Sequence, residues 1–267
     1  MDLAIVEGVL LGILQGLTEF LPVSSSGHLV LGKTILGWQE TGITFEVFVH
    51  FGTLLAVVVV FWRDILNLVA AFFALFRKKV PQKADADRRL LFYLIAATLP
   101  AVVIGLGFED QVEQVFQNPH LVCYMLIVTG LFLLATRFVR GAKKEPTLRN
   151  TFLIGVAQAV AILPGISRSG ATITTGIFQG LNGETAARFS FLLSVPAILG
   201  ATILKVSELL QNPISAQYFL VLAAGTLAAF VSGYLAITTL LGIVRRGKLY
   251  WFAPYCLILG IIGLWLI

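Results

Sequence analysis

Apolar residues run through this chain in long blocks broken at a few dense polar points. Leu3–Phe20 is apolar apart from Glu7, Gln15 and Glu19, and Gly8, Gly12 and Gly16 recur every four residues. That is the small-residue stripe that lets membrane helices pack backbone to backbone. Pro22 ends the helix and pushes the residue before it out of helical geometry. Val23–Leu36 is predicted as a short second helix with Ser24, Ser25 and Ser26 at its start. Two short helices about a proline break predict a re-entrant hairpin, not two full crossings. Thr44–Phe76 is predicted as the next span, with Arg63-Asp64 past its middle. Leu90–Gly107 follows as a span interrupted at Pro100, and Leu121–Phe138 spans back. A second polar hairpin occupies Thr151–Leu181, and spans at Thr185–Leu209, Tyr218–Val244 and Tyr250–Ile267 complete the chain.

Composition turns this pattern into a fold class. Of 267 residues, 58% are hydrophobic and 12% charged, with mean hydropathy +0.92. Soluble domains hold about 45–50% apolar residues, and several runs here approach the ~20 residues that cross a bilayer. The expectation is an all-α polytopic membrane protein forming one domain over residues 1–267. The net charge of +5 does not argue for a nucleic-acid partner. Basic residues cluster in three loops, at Arg77–Arg89, Arg137–Arg149 and Arg245–Lys248, and such loops mark the cytoplasmic side. All three fall inside only if neither polar hairpin makes a net crossing. That leaves six transmembrane helices plus two re-entrant hairpins, with both termini outside. Cys123 and Cys256 sit in apolar runs without metal-ligand spacing and are expected as small buried hydrophobes. The N-terminus lacks the basic region of a signal peptide, so the first segment is expected to stay in the mature protein.

The two polar stretches, QGLTEFLPVSSSGH at Gln15–His28 and LPGISRSGAT at Leu163–Thr172, also align with each other. At an offset of 143, Gly12, Gln15, Ser24, Ser26 and Gly27 fall on Gly155, Gln158, Ser167, Ser169 and Gly170. At 144, Phe45 falls on Phe189, and at 128 a run from Ala96 to Gly105 matches Ala224 to Gly233. Each half, about 1–140 and 150–267, then holds one hairpin and three spans. An odd number of spans inverts the second half relative to the first, as in transporter-like inverted-topology repeats.

Polar groups this dense are costly in lipid unless they line a cavity or bind something. In each hairpin, serines and a glycine open a helix just after a break, where free N–H groups and the positive dipole end suit an anion. Arg168 adds a planar fork matched to phosphate oxygens, and Ser24, Ser25, Ser26, Ser167, Ser169 and Thr172 add hydroxyls. Singly, each hydroxyl reads equally well as a helix cap. Glu19 reads as a proton relay, as a structural partner of Arg168, or, with Gln15 four residues away, as an oxygen ligand to a divalent cation that shares the substrate's phosphates. His28, three residues from Ser25, is the expected acid–base partner, against the alternative of a hydrogen-bonded filler. Together these give metal-assisted phosphoryl transfer from a membrane-embedded diphosphate. Ser25 is the nucleophile or a phosphate-positioning hydroxyl. Spacing leaves serine attack and direct water attack both open.

These residues resemble the undecaprenyl-diphosphate phosphatases linked to bacitracin resistance. Gln15–Glu19 followed by PVSSSGH at Pro22–His28 is similar to that family's first motif, and Pro164–Thr172 matches its P-G-x-S-R-S-x-x-T at every fixed position. The resemblance extends over essentially the whole chain. It implies conversion of undecaprenyl diphosphate to the monophosphate lipid carrier and inorganic phosphate, recycling the carrier for cell-wall synthesis. It implies a divalent cation, Mg2+ or Ca2+, as cofactor, and a site opening to the outer face of the bacterial plasma membrane. By the same resemblance Glu19, Ser25, His28 and Arg168 are catalytic, Glu19 and Gln15 hold the metal, and Ser24, Ser26, Ser167, Ser169 and Thr172 bind phosphate. Some members carry Glu at the position of Gln15; Glu19 would then do more of the work here, and Gln15→Glu is expected to be tolerated while Glu19→Gln is not.

A lipid-phosphate flippase using the same inverted-repeat site is the competing expectation, and an ion-coupled channel or carrier along Glu19 and Glu46 the weaker one. A polyprenyl diphosphate and the membrane itself are the expected partners, with a homodimer left open. Glu46 and His50, four apart, are expected behind the site, and Glu184 and Arg188, also four apart, are expected to pair with each other.

Overall fold

The computed structural model describes residues 3–36, 43–76, 85–139, 145–211 and 215–267. Most of the first basic loop (77–84) and the middle of the second (140–144) lie outside the described residues. Within them all regular structure is helical: α1 Leu3–Phe20, α2 Ser25–Leu36, α3 Ile43–Val60, α4 Trp62–Ala74, α5 Asp85–Gly107, α6 Glu109–Phe116, α7 Pro119–Ala135, α8 Leu148–Val160, α9 Arg168–Phe178, α10 Gly183–Gln211, α11 Ala216–Arg245 and α12 Ala253–Leu266. Among these, α5, α7 with the turn after it, α11 and the stretch 249–266 are long and apolar enough to cross a membrane. The outward faces are oily, as lipid contact requires: Leu106, Phe138 and Trp265 are more than three-quarters exposed. The chain is a multi-pass membrane protein.

Two expected spans come out differently. Thr44–Phe76 is not one straight helix: α3 and α4 meet at 89°. Phe61, at φ −108° and ψ 29°, leaves helical geometry there and packs its buried ring against Phe191, 5.7 Å away. Phe191 also meets Phe20 edge-on at 5.6 Å, so one aromatic cluster joins α1, the bend and α10. The bend carries Arg63 and Asp64 off the line of α3, along which a straight span would hold both charges at membrane depth. Conversely, α5 runs unbroken through Pro100, which membrane helices tolerate when neighbours take over the freed carbonyl.

The charged pairing on α10 is also corrected. Arg188 pairs with Asp64 across the α4–α10 contact, and Glu184 pairs with Arg245 at 2.5 Å. Glu184 and Arg188 thus each take a partner from another helix in place of the i, i+4 option, and each pair ties helices together at the end of the bundle where the basic residues lie.

Glycines decide how closely the helices approach. A β-carbon on Gly12 would lie 2.2 Å from the Gly225 carbonyl oxygen, and one on Gly16 would lie 2.5 Å from that of Ala229. Thus α1 lies backbone to backbone on α11. In the same manner α8 lies on α5: a β-carbon on Gly155 would sit 2.3 Å from the Ala97 carbonyl oxygen.

Candidate active site

The two hairpins place their breaks against each other. The α1–α2 break runs through Leu21–Ser24 and the α8–α9 break through Ala161–Ser167. Ser169 donates to the Leu21 carbonyl at 3.2 Å, and a β-carbon on Gly27 would come within 3.2 Å of the Gly165 α-carbon. Gly165 itself sits at φ +91° under the Val122 carbonyl, a conformation L-residues resist. Thr129 of α7 stitches the second break, donating to the Gly165 carbonyl at 2.9 Å and accepting from the Ser167 N–H at 3.2 Å. Each helix after a break is capped by the serine before it. Ser24 Oγ accepts from the Gly27 N–H and Ser167 Oγ from the Gly170 N–H, the N-cap bond that short polar side chains favour.

Both helix starts edge one cavity of about 450 Å3. Its polar wall holds Glu19, Ser24, Ser25, Ser26, Ser167 and Arg168, together with Glu46 and His50 of α3. Val47, Phe116, Ile162, Ile166 and Ile198 make the rest apolar. Glu19 is the hub. Its Oε1 accepts from Arg168 Nη2 at 2.6 Å, and its Oε2 accepts from Ser25 Oγ at 2.6 Å and Gln15 Nε2 at 3.0 Å. Arg168 is aimed by a second contact, Nη1 to the Ser190 carbonyl at 3.3 Å. An ion pair this buried, with side chains 8% and 17% exposed, persists because hydrogen bonds satisfy the remaining lone pairs.

Not every residue expected at the site reaches the cavity. Ser169 and Thr172 lie behind Arg168: Ser169 bonds Ser167 and Leu21, while Thr172 bonds the Arg168 carbonyl and Ser190 Oγ. They brace the cradle from beneath. His28 is not brought to Ser25 either. Its Nδ1 is 2.7 Å from the Ser24 carbonyl and its Nε2 is 2.7 Å from the Tyr255 hydroxyl. A carbonyl can only accept, so the neutral ring carries its proton on Nδ1 and takes Tyr255's on Nε2. In this geometry both ring nitrogens are engaged by Ser24 and Tyr255, and neither faces Ser25 as the sequence led one to expect.

His50 takes the place by the carboxylate instead. Its Nδ1 is held by the Glu46 carbonyl at 2.7 Å, and its Nε2 stands 3.5 Å from Glu19 Oε2. The i, i+4 spacing of Glu46 and His50 was the visible signal; that they join the cavity wall rather than stand behind it was not. The Ser190 carbonyl, which aims Arg168, has no signal in the sequence because any residue carries one.

For a cation the protein offers few ligands. Among the described residues no three of His, Cys, Asp or Glu converge on a metal-sized site. Gln15 is fully buried beneath Glu19 and does not line the cavity; it hands Nε2 to Glu19 and leaves Oε1 without a partner, so it could serve a cation only by turning its amide, at the cost of one bond. One carboxylate, one amide oxygen and hydroxyls fit a cation whose other ligands are phosphate oxygens and water, the arrangement magnesium prefers.

The family model described as bacitracin resistance protein BacA matches residues 8–262. The chain is 47% identical to the undecaprenyl-diphosphatase of Desulforapulum autotrophicum, an alignment covering 97% of this chain and 96% of that protein. It is 46% identical to the undecaprenyl-diphosphatase of Salinibacter ruber, with 98% of each covered, and 41% identical to undecaprenyl-diphosphatase 1 of Shouchella clausii, with 97% and 95% covered. With a cavity built from both polar hairpins and a family match over nearly its whole length, the chain belongs to the bacitracin-resistance BacA family.

Proposed function

We infer that this protein is an undecaprenyl-diphosphate phosphatase, splitting the lipid diphosphate into undecaprenyl phosphate and inorganic phosphate. The observation that carries the site assignment is the Ser25–Glu19–Arg168 contact, which joins a nucleophile, a base and a phosphate-binding fork across the two hairpin breaks at 2.6 Å each. The diphosphate enters beside Arg168 and draws the guanidinium partly off Glu19. The hydroxyls of Ser24, Ser26 and Ser167, with the N–H groups opening α2 and α9, receive its oxygens. Glu19, relieved of its counter-ion, takes the Ser25 proton as Oγ attacks the terminal phosphorus. Undecaprenyl phosphate leaves with the proton that Glu19 took, which restores the carboxylate; a water then gives Glu19 a proton as it attacks the phosphoserine, and that proton passes to Ser25 Oγ as inorganic phosphate departs. His50 stands beside Glu19 throughout. A divalent cation held by Glu19 and Gln15 would neutralise charge on the phosphate oxygens.

The finer architecture belongs to the same proposal. Six spans and two re-entrant hairpins are arranged as inverted repeats of about 1–140 and 150–267. The support is in the contacts: Gly12 lies on Gly225 and Gly155 on Ala97, and the offsets 143 and 128 exchange one contact for the other. Ser25 and Arg168 occupy equivalent positions at 143. The cavity opens outward from the plasma membrane. Supporting this, Phe116 lines it beyond the end of α5 opposite Arg88 and Arg89, and basic residues mark the cytoplasm.

The test is phosphate release from undecaprenyl diphosphate by purified protein in detergent, where transport is impossible, with Mg2+ and then EDTA. Metal-dependent release is expected, falling about 10²-fold in Arg168→Lys, which keeps the charge but loses the fork. A folded wild-type protein that releases no phosphate sinks the reading.

A further inference from the structure

Ser24 is the one non-glycine residue among those described with positive φ, at 68°. A serine there is strained because its β-carbon crowds the backbone, and such a conformation persists only when its surroundings hold it. His28 does the holding. Its backbone N–H and its ring Nδ1 both donate to the Ser24 carbonyl, at 3.1 and 2.7 Å. The ring is fixed in turn by Tyr255 of α12, whose hydroxyl lies 2.7 Å from Nε2 and whose ring stacks on it at 5.6 Å, 4° from parallel.

The second hairpin supplies an internal control. Ser167 occupies the position equivalent to Ser24 and caps its helix by the same bond, yet it sits at an ordinary φ of −70°. The position equivalent to His28 holds Ala171, which has no ring to offer. The backbone bond recurs there, from the Ala171 N–H to the Ser167 carbonyl at 2.7 Å, so strain and ring contact occur together, and between the two hairpins only in the one that carries Glu19 and Ser25.

We propose that Tyr255 and His28 form a positioning relay: Tyr255 orients the His28 ring, His28 grips the Ser24 carbonyl in its left-handed turn, and the turn keeps Ser25 Oγ on Glu19. His28 works by donating a hydrogen bond, not by moving a proton in the reaction, and neither residue touches substrate. The proposal rests on the phosphatase reading of the cavity.

The experiment is steady-state phosphate release from undecaprenyl diphosphate by the full-length protein, with thermal midpoints measured alongside. Wild-type turnover tests the phosphatase reading by itself, and the pattern among variants tests the relay. Tyr255→Phe keeps the stacked ring and loses the hydroxyl; kcat is expected to fall about three- to tenfold with KM unchanged, the worth of one hydrogen bond. His28→Asn still has an N–H to give to the Ser24 carbonyl but cannot exchange a proton near neutral pH. It is expected to stay within about tenfold of wild type, while His28→Ala loses at least about tenfold more. Adding Tyr255→Phe to His28→Asn should cost nothing further, because the amide has no counterpart of Nε2. His28→Asn as inactive as His28→Ala assigns His28 to proton transfer and overturns the relay. A Tyr255→Phe protein with lowered thermal midpoint and wild-type kcat makes that contact structural and overturns it equally.

Discussion

Glu19 gathers Arg168, Ser25 and Gln15 on two oxygens, so substitutions around it separate charge from proton chemistry. Glu19→Gln keeps an oxygen for Arg168 but cannot accept the Ser25 proton. Turnover at saturating Mg2+ is expected to drop about 10²–10⁴-fold, the range for losing a general base; activity within tenfold of wild type takes that role from Glu19. Gln15→Glu is subtler than the motif suggests. It puts a second carboxylate about where Nε2 now meets Oε2 at 3.0 Å, and two such groups cannot both ionise unless a cation lies between them. The variant is expected to melt several degrees lower in EDTA and to recover with Mg2+; equal midpoints in both conditions would remove the cation from this pair. The chemistry-bearing motifs were legible because serines, a glycine and an arginine at a helix start in oily surroundings have few other uses. Which histidine reaches Glu19 was not. That depends on Tyr255, 227 residues from His28, and on the rotation of α3, neither of which leaves a local trace.

Helix identity follows from hydrophobic runs, but helix direction does not. The break at Phe61 has neither proline nor glycine beside it; a buried aromatic contact with Phe191 holds it, and the only hint is the Arg63-Asp64 pair that a straight span would strand in lipid. Pro100 misled in the other direction, since α5 passes through it. The glycine stripe was the dependable signal, and it sets the α1–α11 and α8–α5 distances. Gly12→Val and Gly155→Val must push backbones apart and are expected to destabilise by about 3 kcal/mol, at the upper end for overpacking. Gly242→Ala, on α11 with open space around it, should instead gain up to about 1 kcal/mol from helix propensity. Thermal midpoints of the three proteins in one detergent make the comparison, and a neutral Gly12→Val would show that the backbones need not be that close.

For the whole molecule, orientation decides which compartment supplies the diphosphate and receives the phosphate. In the proposed topology the chain runs from the exposed Gln117, past the cavity-lining Phe116, across in α7, back to the same side through the α8–α9 hairpin, and then across in α10 and again in α11 to the exposed Arg246. Three such crossings would put the two positions in opposite compartments, with Arg246 beside Arg245 and Lys248 on the side that basic residues mark as cytoplasmic. Gln117→Cys should therefore react with a membrane-impermeant maleimide in intact cells, and Arg246→Cys only after permeabilisation. The two native cysteines are fully buried and should leave wild-type protein unlabelled, so neither needs removal. The reversed pattern would point the cavity at the cytoplasm. Labelling of both from one side would mean a net crossing within the second hairpin, and the equivalence of Ser25 and Arg168 across the two breaks would lose its geometric basis.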